Sequence, residues 1–209
     1  MTEIKNQPIQ TFLDDLASKS ATPGGGSAAA LMGAQGAALV SMVCNLTIGK
    51  PKFAEVEAEL QSILEQAETL RSQLTGLIQA DIDVFNRLMS KYALPKESDA
   101  EKAIRSAAIQ EVLREATEIP MQCAHACAAV IHLSKIAADL GNPSAVSDAG
   151  AAVMAAYGGL KSSALNVYIN AGSLKDKAFV EAKLAELEQA TNNIEQLVDS
   201  IYQTVKTRL

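Results

Sequence analysis

Asp81 stands where a carboxylate is costly. Phe53, Val56, Leu60, Ile63, Ala67, Leu70, Leu74, Leu77, Phe85, Leu88 and Tyr92 advance in steps of three and four, and Asp81 falls in that series. This is the spacing of an inward helix seam. A carboxylate on such a seam must be paired, protonated, or turned toward a cavity, because an isolated buried charge is expensive. Two roles remain open for it: a hydrogen bond to a neighbouring helix, or an acid–base group tuned by its apolar surroundings. Asp83 lies about 200° further round the helix and reads as solvated.

Pro23-Gly24-Gly25-Gly26-Ser27 is the second candidate. Glycines let a ligand or another backbone approach closely. Ser27 is a good N-cap for the helix that follows. Outward-pointing N–H groups at that helix start would suit an anion or the polar edge of a ring. A plain turn ahead of a close-packed helix explains the same glycines. No Lys-Ser/Thr pair follows them, so a nucleotide-binding P-loop is disfavoured.

Asn166 and Asn170 sit four apart on one face of an apolar helix. Buried amides need partners. They either satisfy neighbouring helices or read the donor and acceptor edge of a heterocycle. Asn142, Ser147 and Asp148 stand at a helix entrance, where capping explains them equally well. Lys50, Lys52 and Arg105 are helix-surface charges that would suit a polyanionic ligand tail. Cys123, Cys127, His125 and His132 do not make the four converging ligands of a zinc site, so no metal is expected.

These residues need long helices to carry them. The 209 residues include no Trp and only four each of Tyr and Phe, and Ala, Leu, Gln and Glu abound. That balance favours helix over strand. The expected fold is all-α, a single domain over residues 1–209. It is an up-and-down bundle of long helices around two buried Ala/Gly-rich helices. One of these, Ala28 to Leu46, has no charge and a small-residue stripe of Ala29, Gly33, Ala37 and Ser41. It is long enough to span a membrane, but Ala and Gly insert poorly, so we read it as buried on all sides of a bundle.

A short amphipathic helix is expected over Pro8 to Lys19. The long seam from Phe53 ends at Leu94-Pro95, with Gly76 as a point where it can bend. Ser98 to Glu101 forms a capping box for a helix kinked at Pro120 and ended by Gly141-Asn142-Pro143. Ser147-Asp148 then caps the second apolar helix, Ala149 to about Ala171. One last helix starts near Ser173, with Asp176 at its cap and a seam from Val180 to Val205.

The net charge of −6 gives no support for nucleic acid or anionic membrane as partners. Three cysteines fit buried thiols in a reducing compartment, the cytoplasm. The N-terminal MTEIKNQPIQ lacks the basic-then-apolar start of a secretory signal.

TPGGGSAAALMGAQGAALVSMVCNLTIGK, the segment from Asp81 through LPK, EKAIRSAAIQ, and GNPSAVSDAG with NVYIN resemble, in this order, the cyclodeaminase/cyclohydrolase family. The resemblance spans nearly the whole chain and lacks the family's formiminotransferase portion. It implies a homodimeric enzyme acting on a tetrahydrofolate one-carbon adduct. Asp81 would be catalytic. Gly24, Gly25, Gly26, Ser27, Lys50, Asn142, Ser147, Asp148, Asn166 and Asn170 would bind a reduced folate, in monoglutamyl or polyglutamylated form. No cofactor beyond the tetrahydrofolate substrate is implied. Two reactions fit: hydrolysis of 5,10-methenyltetrahydrofolate to 10-formyltetrahydrofolate, and cyclodeamination of formiminotetrahydrofolate with release of ammonia. The missing transferase portion favours hydrolysis. A folate-binding helical dimer without turnover is the non-catalytic alternative.

Overall fold

The computed structural model describes residues 4–209. Met1 to Glu3, the start of the segment read for a leader, lie outside the described residues. Among the described residues seven α-helices follow one another: α1 (Ile9–Leu16), α2 (Gly25–Asn45), α3 (Glu57–Tyr92), α4 (Asp99–Leu140), α5 (Val146–Gly172), α6 (Lys177–Thr191) and α7 (Ile194–Thr207). Short 3₁₀ turns at Ile4–Asn6, Pro51–Val56 and Pro143–Ala145 join them. The described residues contain no strand.

Helices α2, α3, α4 and α5 form a ring in which each packs on the next. Their direction alternates. Ser27 at the start of α2 meets Asp81 late in α3. Arg87 of α3 pairs with Glu115 early in α4. Asn170 late in α5 reaches Ala116 of α4. This is the up-and-down bundle that the seam spacing and short connections predict. α6 and α7 pack on its outside, against α4 and α5.

Small residues set the spacing inside the ring. A Cβ added at Gly33 would lie 2.6 Å from the Cys127 sulfur, and one at Gly36 would lie 2.9 Å from the Ala152 carbonyl. The backbones of α2, α4 and α5 are therefore too close for any side chain at these points. Ala29, Ala37 and Ser41 of the predicted stripe are buried beside them. Dense packing replaces large side chains here as the source of dispersion energy. The α2 segment and part of α4 are apolar enough to cross a membrane, but 61% of each apolar window is buried inside the bundle. They are core helices.

Several expectations need correction. α2 and α5 are not buried all round. Each leaves a stripe open, with Met42 on α2 and Leu46 at its C-cap, and Met154, Leu165 and Ile169 on α5. α2 begins at Gly25 rather than Ala28, and its N-cap is Gly24, so Ser27 does not cap it. α5 begins at Val146 after Ala145, so Ser147 and Asp148 lie within its first turn instead of capping it. α3 and α4 continue through Gly76 and Pro120. Val84 rather than Phe85 is buried on α3, and Ile104 on α4 is exposed.

The final helix is two. Asn193 adopts φ 59° between α6 and α7. Asparagine tolerates this left-handed conformation, which ends one helix and starts another. Asp176 does cap α6, accepting from the Phe179 N–H. Ser98 and Glu101 form the predicted capping box. α1 is shorter than expected and buries only Phe12, leaving Ile9 exposed.

Candidate functional site

The start of α2 has no side chain of its own to satisfy its free N–H groups, because its N-cap is Gly24. Asp81 supplies the acceptor from α3. The Ser27 hydroxyl donates to Asp81 Oδ2 at 2.7 Å, and the Ser27 backbone N–H also donates to this carboxylate. A carboxylate at a helix N-terminus is favoured by the dipole and the free donors. Burial opposes this and wins: it holds the Asp81 carboxyl above its ordinary value, and the two Ser27 hydrogen bonds only partly offset the rise. Among the described residues no cation contributes. The result is a sheltered acid that the protein has not neutralised with a salt bridge.

The three glycines have separate jobs. A Cβ at Gly26 would sit 2.2 Å from Asp81 Oδ1, so only glycine lets the carboxylate reach the helix end. A Cβ at Gly25 would be 3.8 Å from Asn166 Nδ2, in ordinary contact. Gly24 has room as well. None of the three has a positive φ. Close approach, not unusual backbone, explains Gly26.

Asn166 therefore faces the same helix start as Asp81. Its Nδ2 donates to the Ser162 carbonyl at 2.9 Å, and the residue is half-buried, with acceptor capacity left over. Asn170 lies one turn further on, and its Nδ2 donates to the Ala116 carbonyl at 2.5 Å. Gly25, Gly26, Ser27, Asp81 and Asn166 thus make one cluster, with Asn170 behind it. We call this the near end.

The remaining sequence candidates lie elsewhere. Asn142 donates through Nδ2 to the Leu46 carbonyl at 3.1 Å, and its backbone N–H donates to Thr47 Oγ1 at 2.8 Å. Its Oδ1 accepts from the Ser144 N–H. It is anchored to the C-terminal end of α2, with Lys50 just beyond. Ser147 is exposed and Asp148 half-buried in the first turn of α5. The 21 residues of α2 put this far end about 30 Å from Asp81. Within one chain, Lys50, Asn142, Ser147 and Asp148 do not join the near-end cluster.

Cys44, Cys123 and Cys127 are free and buried. Burial pushes the Cys44 thiol up to about 11. Cys127 also lies well above the ordinary thiol value, through its contact with Cys123 and then burial. His125 is turned to Glu186, 2.8 Å away, and His132 is exposed. Among the described residues no three His, Cys, Asp or Glu side chains are grouped to hold a metal ion.

A cleft of about 900 Å³ is lined by Thr22, Pro23, Gln79, Asp83 and Asn86 among others. It adjoins the near end but does not include Asp81. Its walls come from the Ile4 to Pro8 segment, the Thr22-Pro23 loop and one face of α3, and none of them is a sheltered ionisable group, so we place the chemistry at the Asp81 carboxylate instead.

Sequence spacing missed the Ser27–Asp81 contact. Ser27 reads locally as a cap, and the partner it actually has is 54 residues away.

The Formiminotransferase-cyclodeaminase family profile matches residues 8–189. The chain is 54% identical over 204 residues to the methenyltetrahydrofolate cyclohydrolase of Methylorubrum extorquens, covering 98% of both. It is 32% identical over 203 residues to the formimidoyltransferase-cyclodeaminase of Sus scrofa, covering 97% of this chain but only 36% of that protein. The crystal structure of formiminotetrahydrofolate cyclodeaminase from Thermotoga maritima superposes with a TM-score of 0.83 at 30% identity, over 99% of this chain and 98% of the other. The profile match and these identities establish that the chain belongs to the formiminotransferase-cyclodeaminase family.

Proposed function

We propose that the protein hydrolyses 5,10-methenyltetrahydrofolate to 10-formyltetrahydrofolate, with Asp81 as the catalytic acid–base. One observation carries the site: a half-buried carboxylate with no cation partner among the described residues, held by Ser27 at the start of α2 and facing Asn166. The 54% identity to a cyclohydrolase over 98% of both chains supports the choice of reaction.

The substrate carbon bridges N5 and N10 in a cationic amidinium. The Asp81 carboxylate stabilises that charge and takes a proton from the attacking water. A C–O bond forms, giving a tetrahedral carbon. That carbon then loses N5, which receives a proton, and the formyl group stays on N10. The net reaction consumes one water and releases one proton. Moving the proton is worth about 10²–10⁴-fold, and placing charge in a sheltered site adds to it. Asn166, with donor and acceptor both available, suits the polar edge of the pterin ring. No cofactor beyond the tetrahydrofolate substrate enters these steps.

Cyclodeamination uses the same carboxylate. N10 attacks the formimino carbon, and ammonia leaves after protonation. The T. maritima structure named for this reaction keeps it as the second reading.

The chain works as one domain and as a homodimer in the cytoplasm. The open stripes of α2 and α5 support a second copy. Met42, Leu46, Met154, Leu165 and Ile169 are 40–70% exposed on these two neighbouring helices and the α2 C-cap, and large apolar side chains left open together mark an interaction surface. A two-fold axis across that face that runs the helices antiparallel lays the far end of one copy over the near end of the other. This brings Lys50, Ser147 and Asp148 toward Asp81 while Asn142 stays committed to its own junction, and Lys50 would then meet the tail of a polyglutamylated substrate.

The test is a parallel assay. Loss of methenyltetrahydrofolate above its spontaneous hydrolysis supports the proposal. Ammonia release from formiminotetrahydrofolate alone selects the second reading. Folate binding with neither turnover selects a non-catalytic role.

A further inference from the structure

Pro120 sits inside α4. Proline has no N–H, so the carbonyl four residues earlier, Ala116, loses its helical donor. Ala116 is 4% exposed, where water cannot easily replace that donor and an unmade hydrogen bond is costly. Asn170 Nδ2 lies 2.5 Å from this same carbonyl oxygen.

We propose that Asn170 is a positioning residue: it supplies the donor that Pro120 withholds from Ala116, and so fixes the end of α5 that carries Asn166. The inference rests on the near end being the folate site. It assigns Asn170 to α4 instead of to the substrate.

The geometry is specific. Ala116 packs with Val84 and Leu88 of α3 in a small core at this end of the bundle. α3 carries Asp81 one turn before Val84. α5 carries Asn166 one turn before Asn170. The Asn170–Ala116 bond therefore links α5 to the packed unit of α3 and α4 just below the point where Asp81 and Asn166 meet the start of α2, and Gln110 Nε2, donating to the Ser173 carbonyl at 3.0 Å, holds the C-cap beyond it. The acceptor also settles the amide: its nitrogen faces α4. Asn166 spends its own Nδ2 on Ser162 in α5, so it does not make this link.

The proposal gives Asn170 an importance that depends on Pro120. Alanine at position 120 restores a backbone N–H, and the α4 helix can then satisfy Ala116 by itself. The experiment is a double-mutant cycle on the full chain with Asn170→Ala, Pro120→Ala and the pair, reading both melting temperature and kcat/KM on methenyltetrahydrofolate. Asn170→Ala alone should lower kcat/KM about tenfold and lower the melting temperature, the scale of one lost buried hydrogen bond. Pro120→Ala should stay within about threefold of the parent. In the Pro120→Ala background, Asn170→Ala should cost less than about threefold, with a correspondingly smaller melting shift.

An equal loss of kcat/KM in both backgrounds would overturn the proposal and place Asn170 on the substrate. A melting shift with no change in kcat/KM would overturn it too, leaving a merely structural bond. If the parent turns over no folate, the site reading fails first. The melting cycle then still decides whether Asn170 serves the carbonyl that Pro120 frees.

Discussion

The two ends of α2 spend their polar groups in opposite ways. At the far end every group of Asn142 is consumed by structure: Leu46, Thr47 and Ser144 take its amide, its backbone N–H and its side-chain oxygen. Thr47 in turn donates to the Val43 carbonyl. These bonds tie the α4–α5 connection to the end of α2. At the near end the protein holds a carboxylate that burial destabilises, and among the described residues Ser27 alone binds it. A fold that wanted stability alone would have paired Asp81 with a lysine or replaced it. Polarity at the far end closes a junction, whereas polarity at the near end keeps a reactive group sheltered and unneutralised.

The sharpest way to break this contrast is Asp81→Asn. It keeps the shape and removes the charge. We expect kcat to fall about 10²-fold or more, with stability at neutral pH unchanged or higher. The sign follows from linkage. A carboxyl held above its unfolded value ionises first in the unfolded chain. Its contribution to folding stability is present at low pH and is lost as pH rises through the raised value. Asn removes that loss. The difference in stability between variant and parent should therefore grow with pH, starting just above the ordinary Asp value of about 3.9. Chemical denaturation at several pH values and the pH profile of kcat check both halves. Lower stability with full activity per folded molecule would make Asp81 a structural cap.

Next in size is the pair of glycine changes. Gly26→Ala puts a Cβ onto Asp81 Oδ1, so the carboxylate must leave the helix start. We expect kcat/KM to fall by about 30-fold, a displacement effect below that of removing the acid. Gly25→Val has room for its Cβ but fills the gap to Asn166. It should weaken reduced-folate binding by about tenfold and leave far-UV helicity intact. Equal effects of the two changes would mean the glycines act only as a turn.

Asn142→Ala probes the other side of the comparison. It removes two side-chain hydrogen bonds at the junction. Stability should drop by about 2 kcal/mol, a melting shift of about 4–8 °C for a chain of this size. Activity per folded molecule should hold, provided it is read below the new transition.

What the sequence made legible follows the range of each interaction. Local signals worked: the Ser98 capping box, the stop at Leu94-Pro95, the 3–4 spacing along α3, and the absence of charge on α2. Asp81 was visible because it broke a periodic series. Ser27 was misread because its local role as a cap was satisfied from 54 residues away. The split at Asn193 was missed because one left-handed residue leaves the apolar spacing on either side intact. Motif residues that read as a single constellation proved to be about 30 Å apart. Spacing along the chain cannot measure distance along α2.

The smallest expected effect is also the one that tests whether the two ends meet. Lys50 is exposed, so Lys50→Ala should change stability by less than about 0.5 kcal/mol. If a second copy brings Lys50 over the near end, KM for a polyglutamylated substrate should rise about threefold with kcat unchanged, the mark of lost uniform binding. A monoglutamyl substrate should be indifferent, and added salt should erase the difference by screening an exposed charge. Leu165→Glu places a charge on the open face of α5 and should yield monomers by light scattering. In that background Lys50→Ala should have no effect on KM, because α2 holds Lys50 about 30 Å from the Asp81 of its own chain. A threefold rise that persists in the monomer would mean that the substrate tail spans a single chain. The near and far ends would then form one extended site without the second copy.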